Sequence, residues 1–326
     1  MILDGDIEKA VAVLRAGGLV AFPTETVYGL GADASNPAAV RRIFEAKGRP
    51  AAHPVIVHLA DAVQVATWAR EVPEAARRLA RKFWPGPLTM VLKRSPAVSS
   101  VVTGGQDTVA LRVPSHPVAL RLLARFGGGI AAPSANRHGR VSATTAEHVR
   151  REFGAGVDCV LDGGEASIGI ESAIVDLSGG HPALLRSGWI TAAEIEQVLD
   201  VPLRAPSENA PRAPGTLAAH YAPQTPLTVV EGGLLPELAA TLTRQGKSVA
   251  VLALTEARPL LPGPKWIAAP REAAGYAHAL YSNLRALDGA RCDAILVEQP
   301  PREAAWAAIN DRLTRAAAGS SPPEAT

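Results

Sequence analysis

Short apolar runs separated by helical patterns constrain the fold of this chain more strongly than any other sequence feature. The runs hold four to six residues each, which is typical of buried strands and far shorter than the roughly 18 residues that a membrane span needs. Helical patterns lie between most of them, near residues 61–82, 116–126, 145–153 and 191–199. This alternation predicts an α/β layer architecture. The candidate strands of the N-terminal part are LVAF, PVIVHL, LTMVLK, TVALRV, GIAAP, CVLD, SAIVDL and ALLR.

The strands LTMVLK and TVALRV follow each other with no helical pattern between them, so we expect them to pair antiparallel in a mixed sheet. Capping residues indicate where two helices begin. Asp6 predicts the start of a first helix that runs to about Ala16. Asn36 followed by Pro37 predicts the start of a second helix, and Gly48 predicts its end.

A proline-rich stretch at residues 203–226 divides the chain, which at 326 residues is long enough for two domains. We therefore predict a larger domain with a twisted mixed sheet and helices at 1–202, and a linker or lid at 203–226. Beyond it, LTVVEG, SVAVLAL, KWIAA and DAILVEQ alternate with helical patterns, which predicts a smaller, Rossmann-like parallel α/β domain at 227–316. The tail, 317–326, is predicted to be frayed.

Composition limits the class of protein. The formal net charge of +2 argues against a protein that coats nucleic acid by charge alone, although it does not exclude a local basic groove. Cys159 and Cys292 lie far apart and outside any CxxC spacing, so the sequence predicts neither a zinc site nor a disulfide framework. The N terminus lacks the basic and apolar regions of a signal peptide, and we expect a soluble protein of the reducing cytoplasm.

Two glycine motifs resemble nucleotide-binding sequences without the context that such motifs require. Residues 246–248 read GKS, but a strand follows them, whereas a phosphate-binding loop lies between a strand and the next helix. Gly29, Gly31 and Ala34 form a GxGxxA, yet PTETVY separates it from the strand LVAF. We interpret the first as a turn and the second as a weak signal. The histidines show no familiar metal-binding spacing.

Polar residues cluster at the ends of apolar strands, where α/β proteins place their ligands. One cluster, Thr24, Glu25, Thr26 and Tyr28, lies in the glycine-ended loop FPTETVYGLGAD, which fits an ordinary turn equally well. A second cluster has Lys47 and Arg49 two residues apart beside a helix-ending glycine. On a rigid turn this pair can converge on neighbouring phosphates, the lysine as a point charge and the arginine as a bidentate fork.

Two further strand ends carry polar groups. Arg112 alternates with apolar residues in TVALRV and so points off one face of a strand, either into solvent or, if buried, towards a carboxylate or phosphate. After the strand GIAAP comes a loop that is either a ligand cradle or a polar surface loop. We interpret Arg137 and Arg140 in this loop as solvent residues. Its polar side chains include Ser134, Asn136, Arg137, His138, Arg140 and Ser142.

In combination these segments resemble the YrdC family. The resemblance is carried by PTETVYGLG, the KxR of Lys47 and Arg49, WPGPLT at 84–89, Arg112 in LRVP, and the SxN of Ser134 and Asn136. The HYAP of residues 220–223 and the C-terminal domain are similar to the longer, two-domain members. The resemblance implies a YrdC-like catalytic domain at 1–202.

The activity that the resemblance implies is that of a nucleotidyltransferase. It would condense L-threonine, bicarbonate or carbon dioxide, and ATP into L-threonylcarbamoyl-AMP and pyrophosphate, with magnesium carried by the ATP and no protein metal ligands. The product would supply the threonylcarbamoyl group of the modified adenosine next to the anticodon of tRNA. A downstream tRNA threonylcarbamoyl transferase is therefore an implied partner, tRNA is met only indirectly, and no membrane is involved.

The family's binding residues can be carried onto the matching positions. Lys47 and Arg49 would be catalytic, because they neutralise phosphate charge. The implied ATP-binding residues are Lys47, Arg49, His53 through its backbone, Thr108, Ser134, Asn136, Ser142, Arg186 and Tyr221. The implied L-threonine-binding residues are Thr26, His58, Arg112, Ala132 through its backbone, and Ser172. Arg112 would hold the amino-acid carboxylate, and Tyr221 would be an exposed aromatic that folds over the nucleotide as a lid.

Other functions compete with this interpretation. An RNA-binding module could use the same basic groove, but the near-neutral charge and the aromatic content of 4% argue against it. A carbamoyl-transfer maturation factor is a second alternative. Its larger relatives contain zinc fingers, and the two isolated cysteines of this chain argue against it. A regulatory protein whose C-terminal domain senses a small molecule is a third alternative. The general base is also open, since both His58 and a substrate-assisted proton transfer fit the sequence.

Overall fold

The computed structural model describes residues 3–255 and 265–320. These residues form two compact units. The first holds residues 3–138 and 143–216, and the second holds 139–142, 217–255 and 265–320. The short segment 139–142 is therefore separated in sequence from the rest of its unit.

Within the described residues, the first unit is built on a nine-stranded mixed sheet in the order β7-β1-β2-β6-β3-β5-β4-β8-β9. Strand β3 pairs parallel with β5 and antiparallel with β6, while β4 pairs antiparallel with β5 and parallel with β8. The mixed sheet and the antiparallel pairing of LTMVLK with TVALRV are thus confirmed. The strands are β1 (Val20–Phe22), β2 (Gly29–Asp33), β3 (Ile56–His58), β4 (Leu88–Lys93), β5 (Thr108–Arg112), β6 (Ile130–Ala131), β7 (Cys159–Val160), β8 (Ala173–Asp176) and β9 (Ala183–Arg186).

Helices cover one face of this sheet and part of the other. Helices α1 and α6 pack on one face against the β1 and β6 side chains, and α2, α4, α7 and α8 pack on the other. The sheet is therefore largely removed from water, which is the main source of stability in a layered α/β unit. The helices are α1 (Asp4–Arg15), α2 (Pro37–Lys47), α3 (Val65–Trp68), α4 (Glu74–Phe83), α5 (Ser100–Thr103), α6 (Pro117–Phe126), α7 (Ala146–Phe153) and α8 (Ala192–Leu199).

Most of the predicted elements are confirmed, and the differences have local causes. Helix α2 begins after Asn36, whose Oδ1 accepts hydrogen bonds from two backbone amides, and ends at Gly48 with a φ of 62°. Helix α1 starts two residues before the predicted cap, so the prediction for Asp6 is wrong. Its carboxylate instead accepts the amide of Leu3 from inside the first turn. The helical pattern at 61–82 is broken into α3 and α4, because the backbone is extended at Ala69 and at Pro73, the N-cap of α4.

The second unit carries a four-stranded sheet, of which every described pairing is parallel, in the order β10-β13-β11-β12. The smaller parallel α/β domain is thereby confirmed. Helix α11 continues to Ser320, four residues into the predicted tail, while 321–326 lie outside the described residues. No described helix is long and apolar enough to cross a membrane. The elements are β10 (Leu227–Val230), α9 (Leu235–Arg244), β11 (Val249–Ala253), β12 (Lys265–Ala268), α10 (Ala273–Asp288), β13 (Ala294–Glu298) and α11 (Ala307–Ser320).

Candidate functional site

Four polar side chains lie buried on one face of the central sheet of the first unit: His58, Thr89, Arg112 and Ser172. They belong to strands β3, β4 and β5 and to the residue before β8, which are neighbours in the sheet. His58 and Arg112 are paired in register, and the hydroxyls of Thr89 and Ser172 lie 2.8 Å apart. Alternate residues of a strand share a face. The apolar neighbours that mark this face are Ile56, Val91, Ala110 and Ile174.

Arg112 ends strand β5 and is only 3% exposed. Its Nη2 donates to Oε1 of Glu25 over 2.6 Å, and its Nε donates to the carbonyl of Gly86 over 3.3 Å. The other carboxylate oxygen of Glu25 accepts the amide of Ser115 over 3.0 Å. A buried arginine with a carboxylate partner was one of the two expectations for Arg112, and this partner is Glu25.

Glu25 is delivered by the loop between β1 and β2. Thr24 holds this loop together, because its hydroxyl donates to the carbonyl of Val27 over 2.6 Å and accepts the amides of Thr26 and Val27. The Thr24 and Thr26 hydroxyls lie 2.9 Å apart, and both side chains are buried. The carbonyl of Glu25 accepts the amide of Ile168 over 2.8 Å. The FPTETVYGLGAD segment is therefore a buried, internally bonded loop.

Arg186 and Ser172 lie together beside this group. The guanidinium of Arg186 donates to the carbonyl of Ser172 from Nε over 3.1 Å and from Nη2 over 2.9 Å. Its Nη1 donates to the carbonyl of Pro214 over 2.9 Å. Arg186 thus joins a residue predicted to contact L-threonine to the middle of the proline-rich stretch, and it is itself buried.

His58 is a buried and neutral base. Burial and, to a smaller degree, the nearby Arg112 charge lower the pKa of His58 to about 3. Its Nδ1 is buried and makes no hydrogen bond to any residue within 3–255 or 265–320. The ring packs edge-on against Phe22 at a centroid distance of 6.0 Å. A group with so low a pKa accepts protons poorly at neutral pH.

We predict that His58 makes the folded protein sensitive to acid. Its pKa of about 3 lies below the value of about 6.5 in an unfolded chain, so the unfolded state binds more protons and stability falls as the pH drops from about 6.5 to about 3. In His58→Gln this contribution is absent. The difference in unfolding free energy between wild type and variant should therefore change by about 1 kcal/mol per pH unit between pH 6 and pH 4, as measured by urea unfolding. A pH-independent difference would contradict the prediction, and His181→Gln, at an exposed histidine, is the control.

A second buried cluster surrounds Lys47, the last residue of α2. Its Nζ donates to the carbonyl of Ser134 over 2.6 Å and to the carbonyl of Asn136. The backbone carbonyl of Lys47 accepts the amide of His138 over 2.8 Å. Arg49 follows the glycine that ends the helix, and its Nη2 donates to the carbonyl of Pro54 over 2.7 Å. The KxR and SxN segments are thus brought together.

The electrostatics of this cluster favour anions. Burial, and next the repulsion from Arg49, lower the pKa of Lys47 well below its ordinary value. Burial and the Arg49 charge also lower the pKa of His53, and burial with the neighbouring cations lowers that of His138 to about 4. The two imidazoles meet edge-to-face at 5.6 Å. An arriving anion would relieve the repulsion that these groups exert on one another.

The remaining predicted residues are distributed more widely. Thr108 starts β5 while Arg112 ends it, so the two lie at opposite ends of one strand. The amide of Ala132 already donates to the carbonyl of Ile56 over 2.9 Å, so only its carbonyl could serve a ligand through the backbone. Ser142 and Tyr221 belong to the second unit.

In the second unit, the prediction of an exposed Tyr221 is wrong. Tyr221 is 1% exposed, because it stacks on Tyr281 at 5.8 Å, contacts the ring of His220 at 4.1 Å and lies under the guanidinium of Arg312 at 5.3 Å. Its φ of 60° turns the chain at this point.

Ser142 is held by a residue of α10. The Nε of Arg285 donates to the carbonyl of Ser142 over 3.0 Å, and its Nη2 donates to the carbonyl of Val141. In the same segment the carbonyl of Gly139 accepts the amide of Ala222 over 2.8 Å. All of these residues lie in the second unit.

Arg137 and Arg140 are exposed, as interpreted from the sequence, but both are also anchored. Nη1 of Arg137 donates to the carbonyl of Ala46 over 3.0 Å, and its guanidinium lies 5.6 Å from the centre of the Phe153 ring. Nη1 of Arg140 donates to the carbonyl of Pro223 over 3.3 Å.

A cavity of 1140 Å³ opens beside edge strand β7. Its charged lining is balanced, with Asp6, Asp158 and Asp162 facing Lys9, Arg121 and Arg150. None of the residues predicted to bind ATP or L-threonine lines it. The buried clusters, and not this cavity, therefore carry the candidate site.

Family models cover almost the whole chain. Residues 12–188 match the model named for Sua5, YciO and YrdC and described as Telomere recombination. Residues 190–318 match the model described as Threonylcarbamoyl-AMP synthase, C-terminal domain. The chain belongs to the Sua5, YciO and YrdC family. It has both parts of a two-part Sua5 protein.

Relatives of this Sua5 family member extend over both parts. The threonylcarbamoyl-AMP synthase of Pyrococcus abyssi (strain GE5 / Orsay) is 42% identical over 321 residues, covering 95% of this chain and 93% of that protein. The threonylcarbamoyl-AMP synthase of Bacillus subtilis (strain 168) is 42% identical over 328 residues, covering 97% and 94%. The crystal structure of P. abyssi Sua5 complexed with L-threonine matches with a TM-score of 0.92 and 40% identity, covering 98% of this chain and 96% of that one.

Two residues of the candidate site in this family member, Thr89 and Glu25, received no role from the sequence. Thr89 lies in WPGPLT, and the period-two pattern of LTMVLK would have placed it on the same face as Val91. Glu25 stood out as part of a polar loop but received no role, because no local signal links it to Arg112, 87 positions away.

Proposed function

We propose that this protein condenses L-threonine, bicarbonate or carbon dioxide, and ATP into L-threonylcarbamoyl-AMP and pyrophosphate, for the threonylcarbamoyladenosine modification of tRNA. The observation that carries the proposal is the similarity to named synthases across both parts of the chain, at 42% identity over 95% of its length.

The cluster around Lys47 is the proposed phosphate site. ATP carries several negative charges, and further charge develops on the leaving pyrophosphate as the α-phosphorus is attacked. Lys47 and Arg49 are buried basic groups from one turn, and the negative charge of a bound phosphate would favour the charged form of Lys47, so they can hold phosphate oxygens with little reorganisation. Ser134 and Asn136 are fixed next to Lys47 by its two hydrogen bonds. His53, Thr108, Arg186, Ser142 and Tyr221 stay predicted ATP contacts.

The face of the sheet around Arg112 is the proposed L-threonine site. Its guanidinium would hold the amino-acid carboxylate, while Thr26, His58, Ser172 and the carbonyl of Ala132 would surround the rest of the molecule. The Nδ1 of His58 has no partner among the described residues and supports a polar ligand here, because a buried polar nitrogen without a partner costs free energy. The related P. abyssi protein has been crystallised with L-threonine.

The reaction needs no protein nucleophile. The deprotonated amine of threonine attacks carbon dioxide to give a carbamate, and a carbamate oxygen then attacks the α-phosphorus of ATP while pyrophosphate leaves. The low pKa of His58 makes this residue a poor general base, which favours a proton transfer assisted by the substrates.

Magnesium would enter with ATP. Within residues 3–255 and 265–320, no group of three or more His, Cys, Asp or Glu side chains is arranged to hold a metal ion. Magnesium is commonly held by substrate phosphates and water, and a site whose phosphate charge is balanced by Lys47 and Arg49 fits that mode of binding. The ion would add positive charge at the phosphates.

The product is a reactive mixed anhydride, so a transferase that accepts the threonylcarbamoyl group for tRNA is the expected downstream partner. This protein itself would meet tRNA only indirectly.

We expect the purified protein with magnesium to release pyrophosphate from ATP only when both L-threonine and bicarbonate are present. Release is measured with a coupled pyrophosphate assay, and L-threonylcarbamoyl-AMP is identified by mass spectrometry. L-serine in place of L-threonine tests the substrate side chain. Absence of threonine-dependent release, from a protein that is folded and binds RNA with a steep salt dependence, would replace this proposal with the RNA-binding alternative.

A further inference from the structure

We infer that Glu25 is a positioning residue that orients the Arg112 guanidinium for the carboxylate of the amino-acid substrate. The inference rests on the proposed function, since it takes Arg112 as the group that binds this carboxylate. Glu25 itself is not among the predicted contacts of either substrate.

The hydrogen bonds of Arg112 show which donors the protein already uses. Nε has the carbonyl of Gly86 as its acceptor, and Nη2 has Oε1 of Glu25. Nη1 makes no hydrogen bond to any residue in the part of the chain that the structure describes. The guanidinium is planar and its donors have a fixed arrangement. Two protein acceptors therefore set the direction in which the remaining donors point.

Glu25 is itself held firmly enough to do this. Its second carboxylate oxygen accepts the amide of Ser115 over 3.0 Å, and its backbone carbonyl accepts the amide of Ile168 over 2.8 Å. Glu25 is 5% exposed and Arg112 is 3% exposed, so water competes little for their contact. Both oxygens of the carboxylate have protein partners, which fixes the carboxylate in place.

The charge of Glu25, considered alone, predicts the opposite effect on threonine binding from a positioning role. A carboxylate beside Arg112 repels an incoming carboxylate, so a Glu25 that only competed for the guanidinium would weaken threonine binding. Removing its charge would then tighten threonine binding. If Glu25 instead orients the guanidinium, removing it loosens a preorganised donor pair and weakens threonine binding. The two roles therefore give effects of opposite sign.

The test is Glu25→Gln in the full-length protein. A glutamine cannot accept from both Arg112 and Ser115, because one of its two terminal groups is a donor. We expect the KM for L-threonine in pyrophosphate release to rise by about tenfold or more, with the KM for ATP and the kcat at saturating threonine changed by less than about threefold. Calorimetric titration with L-threonine measures the same loss without turnover.

A double-mutant cycle separates positioning from general structural damage. In an Arg112→Lys background there is no fork to orient, so adding Glu25→Gln should change threonine affinity by less than about twofold. Glu147→Gln is the matched control, because Glu147 forms a 2.7 Å pair with Arg151 on the surface. Should Glu25→Gln not fold, Glu25→Asp keeps the charge but withdraws it by one methylene, and it should raise the KM for threonine above that of the control.

Tighter or unchanged threonine binding in Glu25→Gln would overturn the inference, as would an equal loss in the Arg112→Lys background. Wild-type protein that binds L-threonine without releasing pyrophosphate would overturn the proposed function and leave the positioning role standing. Wild-type protein that binds no L-threonine would overturn both.

Discussion

Lys47→Ala is expected to lower threonine-dependent pyrophosphate release by about a hundredfold to a thousandfold. Lys47 is buried, and its Nζ joins the carbonyls of Ser134 and Asn136. The substitution removes a preorganised positive charge from the phosphate site and also releases the loop that bears the SxN segment. The loss should therefore fall mainly on kcat at saturating ATP, which a pyrophosphate assay over a range of ATP concentrations measures.

Lys82→Ala is the matched control, because Lys82 is an exposed lysine near the end of α4. It should retain activity within about twofold, as expected for a surface substitution. Each buried carbonyl left without Lys47 costs about 1–3 kcal/mol, so the thermal midpoint of Lys47→Ala must be measured beside its activity. A folded variant with undiminished activity would remove Lys47 from the catalytic site.

Arg112→Leu is expected to destabilise the protein by about 3–5 kcal/mol, because it leaves the charge of Glu25 buried without its partner. Adding Glu25→Gln to this variant should restore most of the lost stability. Glutamine carries no charge and still offers an oxygen to the amide of Ser115. Urea unfolding at neutral pH measures both effects.

Activity should separate from stability in this pair of variants. The double variant regains its fold but has no guanidinium for the amino-acid carboxylate, so threonine-dependent pyrophosphate release should stay absent. Arg151→Leu breaks the exposed pair with Glu147 and should cost less than about 1 kcal/mol. Equal stability of single variant and wild type would show that the buried ion pair contributes nothing.

The strands of this fold were largely predictable because their apolar runs are short and bounded by turn residues. Strand β2 was missed because glycines in GLGAD indicate a loop. In the structure, a Cβ on Gly31 would lie 2.7 Å from the ring of Phe22 and 2.8 Å from Ile130, so the strand needs glycine to pack. The glycines that indicated a loop are therefore present because the strand packs too closely for a side chain.

The site was predictable where its residues are close in sequence. Lys47 and Arg49 share a turn, and the SxN segment follows a recognisable strand. The pairing of Glu25 with Arg112 depends on the order of strands in the sheet, which local patterns do not determine. Tyr221 was misjudged because proline-rich composition indicates exposure, whereas the contacts with Tyr281 and Arg312 that bury it come from distant helices.

The contacts of segment 139–142 make an upstream loop depend on residues encoded far downstream. Its carbonyls are bonded by Ala222 and Arg285, far downstream in the chain. A nonsense codon after residue 216 would leave the coding sequence of the first unit intact, yet it would strip this upstream loop of those donors. The loop between β6 and α7 therefore depends on residues that the chain supplies only after the proline-rich stretch.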